Sequence, residues 1–288
     1  MKIAISGSTG FIGKQLSDFL LRSGHELIMI SRNDFSGSGN QLAKVVNSVD
    51  VIINLAGSSV LCRWNDKNRK KIISSRITTT RALVEAVLNE VPEHRPRIFI
   101  NASAIGIYGN SGIHDEFSSD LASGFLASVC KSWENEIAPL SELSMRVCRI
   151  RLGIVLGTAG GSLAKMVPIF KAGLGGRIGA GNQPFSFIHI SDLCNAIEHM
   201  IEHEQSSGVY NMASPEPATN KSFTFALAKH LHRPAIFAIP EFVLKLIYGE
   251  AAELLTKGTS VKPARLLEEG FLFAFPDINS AVADLVRR

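Results

Sequence analysis

Three glycines spaced three apart, in GSTGFIG at residues 7–13, constrain this chain more than any other feature. They follow an apolar, β-branched run, Lys2–Ser6, and precede a helical pattern that starts at Phe11. In that setting one glycine permits the tight turn off a strand, one lets the backbone approach a pyrophosphate, and one lets helix and sheet pack closely. The helix start then offers unpaired N–H groups and the positive end of its dipole to phosphate. Gly7, Ser8, Thr9, Gly10, Phe11, Ile12 and Gly13 are therefore expected to hold a dinucleotide. The bland alternative is an ordinary glycine turn in a parallel sheet.

The tip of the second strand bears on which dinucleotide. An NAD site normally places Asp or Glu there, about 20 residues beyond the loop, against the ribose 2′-hydroxyl. Here the run is Ile28-Met29-Ile30-Ser31-Arg32-Asn33, without an acid at the tip, and Asp34 follows two residues too late. Ser31 can hydrogen-bond a 2′-phosphate and Arg32 can pair with it. NADP(H) is the cofactor expected, a solvated Arg32 being the alternative.

The first 160 residues alternate short apolar runs (Lys2–Ser6, Glu26–Ser31, Val51–Leu55, Ile98–Ala102, Val147–Leu156) with helical patterns at Phe11–Arg22, Asn40–Asn47, Asp66–Asn89 and Gly124–Ala138. Runs apolar on both faces suit buried parallel strands. The alternation predicts an α/β fold, a doubly wound (Rossmann) parallel sheet with a smaller C-terminal substrate lobe. Residues 1–160 form the NADP-binding domain and 161–288 mainly the lobe, with the chain returning to the sheet around 185–212. The glycine-rich stretch 173–181 reads as a shaped loop. Helices are expected at Asp192–Glu202, Phe223–Leu231 and Phe242–Leu255, and a strand at Gly208–Met212.

Composition excludes several classes. Charged residues make up 19%, and the net charge of +4 comes from 30 basic and 26 acidic residues spread throughout, without a nucleic-acid-binding stripe. Four cysteines, none in CxxC spacing, point to a reduced compartment and no metal site. No secretory or membrane-spanning segment stands out, so a cytoplasmic protein without membrane or nucleic-acid partners is expected.

With the glycine loop, NLAG at Asn54–Gly57 and SAIGIYG at Ser103–Gly109, the first 160 residues resemble the extended short-chain dehydrogenase/reductases of the sugar-nucleotide epimerase type. More narrowly, the whole chain resembles an atypical, epimerase-like subfamily. That match rests on RWNDKNRKKIISSRITTTRALVEAV from Arg63, FLASVCKSWE from Phe125 and the tail at 239–285, a domain of unknown function. The resemblance adds Leu55, Ala56, Gly57 and Arg76 to the cofactor side. It also implies a small carbonyl or hydroxyl substrate and, by analogy with the superfamily, a homodimer.

Typical members carry Tyr-x-x-x-Lys on a helix, followed by an acid. The Tyr moves the proton and the Lys lowers its pKa. Anchored on Glu134, that pattern places Leu126 at the Tyr position and Cys130 at the Lys position, and neither side chain can substitute. Lys131 lies about 100° further round the helix. Arg76 stands where the usual asparagine would be, and Ser103 keeps the upstream serine.

Tyr108 and Ser103 are then the candidates for the reacting carbon, set against a buried, satisfied tyrosine and a serine capping its own backbone. Cys130 is a buried hydrophobe unless Arg76 lowers its pKa. Arg76 is either an anion or nicotinamide ligand or a structural ion pair. His189, between two isoleucines, reads as a core histidine and Asp192 as part of a helix start. Tyr248, Glu250 and Lys257 read as packing or dimer contacts. The chain is thus expected to be an NADP(H)-dependent oxidoreductase or epimerase-like enzyme lacking the usual dyad, or else a non-catalytic NADP(H) sensor or partner-binding protein.

Overall fold

Alternation within the strands sorts their side chains onto two faces. Ile3, Ile5, Val51, Ile53, Ile98 and Ile100 share one apolar cluster, while Ala4, Ile52 and Phe99 share another. The computed structural model describes residues 1–35 and 40–287. In chain order the elements are β1 (Lys2–Ser6), α1 (Phe11–Arg22), β2 (Glu26–Ile30), α2 (Asn40–Val46), β3 (Val51–Asn54), α3 (Asp66–Leu88), β4 (Ile98–Ala104), β5 (Ile113–His114), α4 (Phe125–Glu136), β6 (Arg146–Leu152) and β7 (Ile154–Leu156). They continue with α5 (Gly161–Lys171), β8 (Gly176–Ile178), β9 (Phe187–His189), α6 (Ile190–Glu202), β10 (Gly208–Met212), α7 (Asn220–Leu231) and β11 (Phe237–Ile239). The tail holds α8 (Glu241–Tyr248), α9 (Glu253–Thr256), β12 (Ser260–Val261), α10 (Ala264–Glu268) and α11 (Ile278–Arg287).

The central sheet has six parallel strands in the order β10-β6-β4-β3-β1-β2. Leu16 and Leu20 of α1 and Leu193, Ile197 and Met200 of α6 cover one face. Leu42, Leu83, Val84 and Val87 of α2 and α3 cover the other. The strand order steps outward from β1 in both directions, so this is a doubly wound sheet, with ligand sites expected at its carboxyl edge.

Three boundaries depart from the sequence reading. The run Val147–Leu156 is two strands, because Gly153 bends the chain out of the central sheet. A Cβ there would lie 2.8 Å from the Ser186 carbonyl oxygen and 3.0 Å from that of Met212. β7 then pairs with β9 instead. The glycine-rich stretch contains a strand, β8, paired with β11. Gly176 lets the two meet, since a Cβ would come within 2.3 Å of the Phe237 oxygen. The helix expected over Phe242–Leu255 breaks at Gly249, whose φ of 61° ends α8.

The C-terminal half contributes a separate apolar cluster, including Phe170, Phe187, Phe223, Leu227 and Leu285. Carboxylates tie the tail to the sheet domain. Asp192, in the first turn of α6, accepts from the backbone N–H groups of Ala274 and Phe275 at 2.9 and 3.0 Å. Glu116 accepts from Asn211 and Ala264 at 2.8 and 2.9 Å. Among the described residues, no helix is long and apolar enough to cross a membrane.

Candidate dinucleotide site and the polar core behind it

The glycine turn is built from backbone with no space to spare. Gly7 has φ of 80°, and its Cβ would sit 2.8 Å from the Leu55 carbonyl carbon and oxygen. A Cβ on Gly13 would lie 2.3 Å from the Gly7 oxygen, so helix and turn touch there. Gly10 differs: its Cβ would meet only the Gly7 oxygen at 3.3 Å, and Thr9 and Gly10 are exposed. The turn is closed by Gly10 N–H donating to the Gly7 oxygen at 3.0 Å. Gly10 is the N-cap of α1 and supplies no side-chain cap, so the first N–H groups of the helix stay available to an anion.

A cleft of about 190 Å³ opens from this turn, walled by Phe11, Ile12, Leu55, Gly57 and Leu152. Leu152 ends β6 and was not singled out in the sequence. Nor were Gly157, Gly160 and Gly161, which let the loop after β7 close on the Phe11 ring. A Cβ on Gly157 would come within 2.6 Å of that ring and one on Gly160 within 2.9 Å of Phe11 itself. Their glycine-rich spelling, GTAGG, was the signal available.

Arg76 reaches this wall from α3. Its guanidinium donates to the Ser58 and Ile72 carbonyl oxygens at 3.0 and 3.2 Å and lies 5.1 Å from the Trp133 ring centroid. Burial pulls its pKa below the usual arginine value. A Cβ on Gly57 would touch this guanidinium at 3.0 Å, so Gly57 is what admits it beside the cleft. Among the described residues no carboxylate lies within ion-pair distance of Arg76; it is held by backbone oxygens.

At the tip of β2 the sequence reading needs correction. Asp34 does bring a carboxylate there, because a short 3₁₀ turn over Arg32–Phe35 folds it back. Its Oδ2 accepts from the Ser31 N–H at 2.6 Å and from the Ser31 hydroxyl at 2.7 Å. Ser31 is thus already engaged, while Arg32 is exposed next to it.

The catalytic candidates meet a different fate. Ser103 donates to Glu134 Oε1 at 2.6 Å. Glu134 also receives both arms of Arg151, at 2.9 and 2.8 Å. Arg151 donates further to the Tyr108 hydroxyl at 2.6 Å, and Tyr108 donates to Asn211 at 3.0 Å. The Tyr108 ring is 1% exposed and stacks on His114, with centroids 5.2 Å apart.

Burial raises the Tyr108 phenol above its ordinary pKa despite the pull of Arg151. Burial would lower the Arg151 guanidinium, but the bonds and charge of Glu134 outweigh it and hold the group firmly protonated. Each hydroxyl proton is donated to a protein acceptor within a buried chain of bonds, so both Tyr108 and Ser103 are engaged by the fold itself.

Cys130 is likewise no stand-in for lysine. Burial, reinforced by Glu134, pushes its thiol up to about 11, and the Arg76 charge does not offset this. Lys131 donates to the Ala122 carbonyl oxygen at 2.9 Å, committed to the backbone. His189 is buried, caps α6 by accepting from the Ser191 N–H at 3.1 Å, and lies 3.4 Å from Asp284. In the tail, Glu250 pairs with Arg69 and Lys257 with Glu253, both as surface ion pairs within the chain.

A glycine turn with no room for side chains, opening on a helix start at the carboxyl edge of a parallel sheet, defines a Rossmann-type nucleotide-binding protein. The chain belongs to the NAD dependent epimerase/dehydratase family, whose model matches residues 3–213. Residues 239–285 match a second model, described as a domain of unknown function (DUF1731). The Bacillus subtilis epimerase family protein YfhF is 34% identical over 301 residues, covering 99% of this chain and 98% of that one. The human epimerase family protein SDR39U1 is 34% identical over 296 residues, covering 99% and 100%. The crystal structure of human SDR39U1 (isoform 2) with NADPH superposes with a TM-score of 0.92 at 31% identity, over 100% of both chains.

Proposed function

We propose that this chain binds NADP(H) in the cleft between the glycine turn and Leu152, and acts as an oxidoreductase or epimerase-like enzyme on a small carbonyl or hydroxyl compound. The observation that carries the reading is the turn itself. Gly7 and Gly13 leave no room for a Cβ, while the Gly10 backbone and the uncapped start of α1 face an open cleft. Backbone N–H groups at Phe11–Gly13 would hold the pyrophosphate, and Arg32 would meet the 2′-phosphate after Ser31 lets go of Asp34. Leu55, Gly57 and Leu152 would line the rest, with Arg76 behind Gly57. The human relative crystallised with NADPH supports the same cofactor.

Bound there, the cofactor would supply or accept a hydride. The chain's own residues would exclude water and fix orientation. The proton would have to enter by a route other than Leu126, Cys130, Ser103 or Tyr108.

The locked state of that last pair favours a second reading as well, a non-catalytic NADP(H) sensor. Incubating the full chain with NADPH and a panel of aldehydes and ketones separates the two. Reproducible oxidation of NADPH with any member supports the enzyme. A flat baseline across the panel, with NADPH bound tightly, moves the weight to the sensor.

A further inference from the structure

The amino edge of the sheet, remote from the glycine turn, gathers two histidines and a glutamate that the cofactor site does not use. His199 and His203 stand one turn apart near the end of α6, their rings stacked with centroids 5.1 Å apart. Glu269 comes to them from just beyond α10. Its Oε2 lies 3.0 Å from His199 Nε2 and 3.9 Å from His203 Nδ1, and all three donor atoms fall within 4.8 Å of one another. Ligands on a tetrahedral ion with bonds near 2.1 Å are about 3.4 Å apart, so these separations already bracket the geometry a metal needs.

The carboxylate is also oriented from behind. Tyr210 donates to Oε1 at 2.5 Å and Ser206 to Oε2 at 2.8 Å, the outer bonds that fix a ligating carboxylate. Those bonds, together with His199, hold Glu269 below the usual carboxylate pKa even though burial alone would raise it. All three side chains are only partly buried, so an ion can reach them from solvent.

We infer that His199, His203 and Glu269 form a binding site for a divalent ion of the zinc class. Two imidazoles and one carboxylate suit zinc or cobalt far better than calcium or magnesium, and they leave a fourth position to water. The site ties α6 to the tail and lies at the opposite edge of the sheet from the glycine turn. Its role is therefore a staple on the fold, independent of cofactor binding. His199 and His203 stand four residues apart in the sequence, but the third ligand, Glu269, is 70 residues from His199.

The test uses untagged full-length protein freed of metal with a chelator, then titrated with Zn²⁺ by calorimetry and with Co²⁺ by visible absorption. One equivalent is expected to bind with micromolar or tighter affinity, to give the intense d–d bands of low-coordinate Co²⁺, and to raise Tm. His203→Asn, at a side chain 39% exposed, should weaken Zn²⁺ at least about 100-fold without unfolding the protein. Tyr210→Phe, which removes only the outer bond to Oε1, should weaken it about tenfold. Titration with NADPH should be unchanged by the metal. Uptake that does not saturate near one equivalent, or that His203→Asn leaves intact, would overturn the site and leave the trio as a histidine–carboxylate ion pair.

Discussion

The turn at Gly7–Gly13 and the end of β4 at Ser103–Tyr108 lie on the same carboxyl edge of the sheet, and they are built on opposite principles. The first is unfinished without a ligand: its helix start is uncapped, its middle glycine is exposed, and its walls enclose a cleft. The second is finished by itself. Ser103, Glu134, Arg151, Tyr108 and Asn211 satisfy one another in a continuous chain of hydrogen bonds. An active-site hydroxyl needs a proton path that points outward. A hydroxyl whose bonds are all met inside the protein instead holds neighbouring strands and helices together. Here that network joins β4, α4, β6 and β10.

This contrast can be broken by removing its charged centre. Arg151→Met would leave Glu134 at the border of the core with only Ser103 for company, since the two partner side chains are 8% and 10% exposed. A loss of about 3–5 kcal/mol in unfolding free energy is expected from urea denaturation. Adding Glu134→Leu should restore much of it, and full stability in the single variant would mean the network is not structural.

At the other region Gly13→Ala should weaken NADPH about 10- to 100-fold, because its Cβ needs the space of the Gly7 oxygen. Equal titration curves for wild type and variant would remove the turn from the cofactor site. Arg32→Ala should cost NADPH about tenfold and spare NADH, while Asp34→Asn should tighten NADPH by about threefold as a facing negative charge is lost. Equal losses for the two cofactors would sink the 2′-phosphate assignment.

Tyr108→Phe should cost about 1–2 kcal/mol of stability, and any measured kcat should stay within about threefold of wild type. A fall of 100-fold or more would restore Tyr108 as the proton donor. Smallest is the response of the thiols. Cys130 is held at about 11, and Cys148 and Cys194 at about 12, all above their ordinary 9.0. A raised thiol pKa favours the neutral form in the folded state. Its contribution to stability is complete below pH 9 and fades only as pH climbs through 11. At pH 8 a thiol reagent should therefore modify Cys62, which is partly exposed, and spare the three buried cysteines. Rapid labelling of Cys130 would reopen it as a reactive thiol.

The parallel sheet was legible because strands such as β1 and β3 are apolar on both faces and helices such as α1 and α6 carry a 3.6-residue stripe, both local signals. The glycine turn was legible for the same reason, its steric demands being met within seven residues. What could not be read depended on residues distant in sequence. The strand that seemed continuous from Val147 breaks at Gly153 because Ser186 and Met212 come close to it. Asp34 reaches the β2 tip only because a 3₁₀ turn folds it back. Tyr108 looked available since its partners Arg151 and Asn211 lie 43 and 103 residues away, and Ser103 since its acceptor Glu134 lies 31 residues away. The placing of Leu126 and Cys130 at the usual Tyr and Lys positions, by contrast, rests on the family resemblance anchored on Glu134, not on spacing.

The most direct measurement is an equilibrium titration of the full chain with NADPH and with NADH, followed by nicotinamide fluorescence. Saturable one-to-one binding of NADPH, with NADH at least about tenfold weaker, is the result expected of a turn completed by its ligand and an arginine beside the 2′-phosphate. No saturable binding of either nucleotide would contradict the account, because the glycine turn would then be as self-sufficient as the network around Tyr108.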